Sequence, residues 1–148
     1  MNGQRVAHYS GKREQERLAT AGPIPWTIVR STQFHELAGR VAGSAERDGV
    51  AMIAPLLFQP IAPSEVGEIL AEVATGDPLT EILEIAGPET QDFVDMARRT
   101  FTVRGRDIKL VPTWRGAFDT SMAGEVLLPG PNVRIAPTTF EDWLAAGA

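Results

Sequence analysis

The chain contains no cysteine and only two histidines, His8 and His35, among its 148 residues. Disulfides and thiolate chemistry are thereby excluded. Two histidines without an H-E-x-x-H or C-x-x-C pattern are too few for the usual zinc sites, and no metal is expected. No apolar run is long enough to cross a bilayer, and the first thirty residues are polar and basic, unlike a secretory leader. The expected setting is cytoplasmic, with no membrane partner. Basic charge is scarce as well: 14 Lys and Arg stand against 19 Asp and Glu, a net −5 at pH 7. Nucleic acid needs a clustered basic face to release counterions, so it is not an expected partner. The nearest basic cluster, Lys12-Arg13 with Arg17, is interrupted by Glu14 and Glu16, as on a solvated helix face.

What is there suits one globular domain over residues 1–148, with 43% apolar and 22% charged residues. Composition predicts a helix from His8 to Ala21, stopped by Gly22-Pro23 and Pro25. In "IPWTIVRS" the aromatic and β-branched run is nearly continuous, which suits a strand buried on both faces. A helix over Gln33–Asp48 follows from Phe34, Leu37, Val41 and Ala45 at helical spacing, with Gly49 closing it. The extended "LLFQPIA" feeds a helix with Pro63 in its first turn, Ser64 as a cap and Gly76 past its end. Val66, Ile69, Leu70 and Val73 form its apolar stripe. "EILEIAGPE" is a second strand, Thr90 a cap for the helix carrying Phe93 and Phe101, and "IKLVPTW" a third strand. In the closing "TTFEDWL", Thr138 and Glu141 have capping-box spacing. Strands alternating with helices imply an α/β protein. "WTIVR" finds at most one parallel neighbour, "ILEIAG". Its other edge predicts either a larger sheet or a covering chain, a second copy in a homo-oligomer or a different partner.

The segments "HYSGKREQERLATAGPIPWTIVRSTQFHELAG", "FQPIAPSEVGEILAEVATG", "EILEIAGPE" and "IAPTTFEDWL", in this order, resemble successive parts of the NmrA-like, atypical short-chain dehydrogenase/reductase family. Members bind NAD(P)H, and the likeness spans nearly the whole chain. It implies the C-terminal part of a Rossmann-like parallel sheet with a small substrate-side subdomain. The family's front βαβ half carries a G-x-x-G-x-x-G turn that seats the dinucleotide pyrophosphate on a helix N-terminus. That turn has no counterpart in these residues. The expectation is a truncated product, a late start or one piece of a split protein. The implied activity is NAD(P)H-dependent reduction of a small carbonyl or quinone-type substrate. The alternatives are a non-catalytic NAD(P)-linked regulator acting through a partner protein, or an inactive remnant.

By this resemblance Tyr9 would supply the proton, and Lys12 would bind the nicotinamide ribose and lower the tyrosine pKa. The usual Y-x-x-x-K spacing sets the two about 40° apart around a helix, and the Y-x-x-K found here about 60°. The position four before Lys12 is His8. On residue chemistry alone, Lys12 reads as a surface lysine and Tyr9 as a packing residue. Arg30, Thr32 and Gln33 follow the carboxyl end of the strand, where ligands of open parallel sheets collect, and become cofactor contacts. Phe34 and Gln59 become substrate contacts. Otherwise Thr32 caps the next helix, Phe34 joins its stripe, and Gln59 meets a backbone partner. Trp26, Trp114 and Trp143 read as packing residues, and Glu65, Glu68, Asp92 and Asp95 as helix-surface carboxylates without an acid–base pair.

Overall fold

The computed structural model describes residues 3–115 and 118–147, the side chains of residues 3–10 excepted. Helix α1 (Gly3–Ala21) ends at the Gly22-Pro23 break and leads into β1 (Ile28–Ser31). Helix α3 (Pro63–Thr75) begins with Pro63 at its first turn, where a missing N–H costs nothing, and ends at Gly76. It leads to β5 (Ile82–Ala86), which pairs in parallel with β1 from Ile28↔Ile82 to Ser31↔Ile85. The short β8 (Arg134–Ile135) adds to the other side of β5, giving a parallel sheet of order β1-β5-β8.

The strand expected to be buried on both faces is instead an edge strand. Ile28 and Val29 are half-buried, and Arg30 and Ser31 are exposed. Among the described residues no strand pairs with its outer side. The backbone N–H groups of Ile28 and Thr32 donate to Glu81 and Ile85, so those of Val29 and Ser31 point away from β5.

Helix α2 (Leu37–Ala45) is shorter than the pattern predicts. Phe34 lies outside it, bridged to Ile61. After Ala45 the chain enters a hairpin, β2 (Glu46–Arg47) and β3 (Val50–Ile53), turning at Asp48 and Gly49 with φ of 51° and 77°. Gly49 therefore serves a two-residue turn rather than a helix end. β3 then pairs in parallel with β7 (Lys109–Pro112), so "IKLVPTW" builds a second sheet and does not extend the first. Between them lie β4 (Leu57–Phe58) and β6 (Gln91–Asp92), an antiparallel pair, and α4 (Phe93–Val103). The chain ends in α5 (Phe140–Ala145) after two short 3₁₀ turns and β8.

Two clusters hold the molecule. The larger packs α2, β3, α4 and α5 around Phe58, Phe93, Phe101 and Phe140. Trp114 and Trp143 lean on it, as packing residues should. Gly39 lets α2 approach α4 closely, since a Cβ there would lie 2.7 Å from Thr100 Cγ2. The smaller cluster joins Ile69 of α3 to Ile61, Ile85 and Ala136 beside the first sheet. Leu70, placed in the α3 stripe by spacing, is exposed, and Glu65 is buried instead. Caps shift similarly: Asp92 caps α4 in place of Thr90, Thr139 caps α5 in place of Thr138, and Ala62 precedes α3 with Ser64 inside it.

Candidate functional site

A cleft of about 250 Å³ opens where the carboxyl ends of β1 and β5 lie side by side. Ser31, Thr32 and Gln33 form one wall, and Leu128 with Gly130 the other. Open parallel sheets place ligands at this end because the loops leaving adjacent strands diverge there.

The loop after β1 is held by a short zipper. Thr32 N–H donates to the Ile85 carbonyl at 3.0 Å, and its hydroxyl to the Gln59 carbonyl at 2.6 Å. Ile61 N–H donates to the Gln33 carbonyl at 2.9 Å, and His35 N–H to the Ile61 carbonyl at 3.1 Å. Gln59 Nε2 donates to the Gly87 carbonyl at 2.9 Å. Thr32 thus ties the loop to residue 59 and caps no helix. Gln33 Oε1 is buried with no hydrogen-bond partner among the described residues.

Arg30 lies at the cleft margin between two carboxylates, 2.6 Å from Glu16 of α1 and 3.5 Å from Glu84 of β5. Its bond to Glu16 holds that carboxyl below the ordinary carboxylate range and raises the guanidinium further. The arginine charge is therefore largely matched within the chain.

The residues named from the sequence divide accordingly. Arg30, Thr32 and Gln33 converge on the cleft. Gln59 supports it through Thr32 from behind, and its own amide has a backbone partner. Phe34 is 37% exposed next to the cleft but not on its wall. Lys12 is exposed on α1 and does not line it. The Tyr9 and His8 side chains lie outside the described residues. Among the described residues no group of three or more His, Asp or Glu side chains is placed to hold a metal.

A larger groove of about 580 Å³ lies beside Glu89, Glu141 and Asp142. Its one cation among the described residues, Arg99, already bonds Gln91 and Asp95, and Lys12, Arg30, Thr32, Gln33, Phe34 and Gln59 do not border it. Sequence reasoning missed two buried polar residues, His35 and Glu65, which meet at Thr138. A helical carboxylate and a lone histidine carry no local signal of burial.

The molecule is a mixed α/β protein with a parallel sheet, and none of its described helices is long and apolar enough to cross a membrane. No family model, curated protein or solved structure matches the chain.

Proposed function

We propose that the chain carries the nicotinamide and substrate side of an NmrA-like, Rossmann-type NAD(P)H-dependent reductase, acting on a small carbonyl or quinone-type substrate. One observation carries this reading: Arg30, Thr32 and Gln33, three of the four cofactor contacts implied by the resemblance, meet in one cleft at the carboxyl ends of parallel strands. The order β1-β5-β8 also suits the last strands of such a sheet.

The cleft volume suits a ring-sized group, below the range of pockets that enclose a drug-sized ligand. The diphosphate of NAD(P)H fits less well. Arg30 is committed to Glu16 and Glu84, and the sequence has no glycine-rich turn opening a helix. These residues therefore fit the nicotinamide ring and not the pyrophosphate. Hydride would come from the cofactor. The Ser31 hydroxyl and the Gln33 amide would orient the ring, and Leu128 would shield it from water. The roles of Tyr9 as proton source and Lys12 as ribose contact rest on the resemblance alone.

Titration of ¹⁵N-labelled chain with reduced nicotinamide mononucleotide and with NADPH tests the reading. Both ligands should shift the Ser31, Thr32, Gln33 and Gly130 amides, saturating in the millimolar range. Absence of shifts at these amides overturns it. Micromolar NADPH saturation would show instead that groups of this chain hold the diphosphate.

A second reading is a non-catalytic subunit, an NAD(P)-linked regulator or an assembly remnant, that joins another chain through β1. The outward-facing N–H groups of Val29 and Ser31 favour it.

A further inference from the structure

We infer that His35 and Glu65 form a buried clasp on Thr138 that makes docking of residues 136–145 against the loop after β1 sensitive to acid. His35 Nε2 lies 3.1 Å from the Thr138 carbonyl. A carbonyl only accepts, so Nε2 carries the hydrogen and Nδ1 is the bare nitrogen. From the other side, Thr138 N–H and Oγ1–H donate to Glu65 Oε1 at 2.8 and 2.7 Å. One residue of the C-terminal segment is thus gripped from the β1 loop and from α3. His35 is 1% and Glu65 7% exposed.

The surroundings favour the neutral imidazole. Phe140 and Trp143 of α5 each place a ring centroid 5.6 Å from it. Nδ1 has no hydrogen-bond partner among the described residues, so a second proton there would have no acceptor. Burial lowers the His35 pKa from its ordinary 6.5, opposed by the Thr138 bond and by the charges of Glu65 and Glu89. Of the other charged groups nearby, Arg99 of α4 lies 4.7 Å over the Phe140 ring and pairs with Asp95, Glu36 pairs with Arg40, and Asp142 accepts from the Thr139 hydroxyl. Glu141 is exposed.

The sign follows from linkage. The docked state has the lower histidine pKa and binds fewer protons than a released state in which His35 meets water. Docking is therefore at full strength above about pH 6.5 and weakens as pH falls from there towards the docked-state pKa. In that window release becomes more favourable by up to about tenfold per pH unit, the limit for one proton.

Hydrogen exchange of the full chain between pH 7.5 and 5, expressed as protection relative to intrinsic rates, tests this. Protection of residues 136–145 should fall by up to about tenfold per pH unit below 6.5, while residues 93–103 of α4 keep theirs. His35→Gln keeps a donor for the Thr138 carbonyl and cannot titrate, so it should abolish the pH dependence. Constant protection in the tail, an equal loss in α4, or acid release persisting in His35→Gln overturns the clasp. Should that variant not fold, the imidazole ring-proton titration of His35 in the unaltered chain decides. A ring-proton midpoint at the pH where the tail's loss of protection levels off supports the clasp, and a loss that begins only in the carboxylate range overturns it.

Discussion

The carbonyl oxygen of Pro60 occupies the space in which a side chain at Gly87 would begin. Gly87 is buried, and its own carbonyl accepts from Gln59. The end of β5 and the segment at residues 59–61 therefore cross backbone to backbone behind the cleft. Gly87→Ala must push one of them aside, with an expected loss of at least about 2 kcal/mol from overpacking against backbone. Gly67 provides the contrast: it sits in α3 with nothing within 4 Å of a built Cβ, and Gly67→Ala should gain about 0.5–1 kcal/mol from helix propensity. Urea unfolding midpoints at unchanged slope measure both. Equal midpoints for the two variants would contradict the crossing.

Gly49 makes a separate local prediction. It holds φ of +77° in a two-residue turn, next to Asp48 at +51°. Gly49→Ala places a Cβ in the left-handed region and should cost about 1–2 kcal/mol. The same urea series reads it, and an unchanged midpoint would refute the turn assignment.

This turn also shows where sequence pattern stops. Asp48-Gly49 is a strong hairpin dipeptide, yet the helical spacing of Leu37, Val41 and Ala45 runs up to it and masks the strand beyond. β2, β4, β6 and β8 have two residues each, too few to show any period. The long features were legible because their signals add over many residues: the α1 stop at Gly22-Pro23, Pro63 at the start of α3, and the parallel match of "WTIVR" with "ILEIAG". For the cleft, the wall of Ser31, Thr32 and Gln33 could be placed because it lies at the carboxyl end of a strand. The facing wall, Leu128 and Gly130, comes from a glycine- and proline-rich tail whose course only tertiary packing sets. Glu65 looked like a solvated carboxylate because its donors belong to Thr138, 73 residues away.

Glu16 and Arg30 tie α1 to the first sheet by two bonds of 2.8 and 2.6 Å. The arginine bond lowers the Glu16 pKa below 4.5 in the folded chain, so its contribution is present above pH 4.5 and is lost as pH falls through the folded value. Both partners are partly solvated, at 26% and 46% side-chain exposure, so screening keeps the contribution to at most about 1 kcal/mol. Glu16→Gln should speed hydrogen exchange in residues 11–21 at pH 7, leave α4 unchanged, and have a progressively smaller effect as pH falls below 4.5. An effect that grows on acidification would reverse the assigned sign.

The outer side of β1 yields the last prediction. Val29 and Ser31 present backbone N–H groups with no partner among the described residues, on a strand that follows the exposed Ile24. Unpaired edges of this kind recruit another strand unless charge, proline or a covering element blocks them. The purified chain should therefore sediment as a dimer or larger species at micromolar concentration. Ser31→Pro removes one outward N–H without touching the ladder to β5, because the bonds there come from Ile28 and Thr32. It should shift the distribution towards monomer while α4 and α5 keep their exchange protection. A monodisperse monomer of the unaltered chain, with the Val29 and Ser31 amides fully protected, would mean that α1 or another part of the same chain already satisfies this edge.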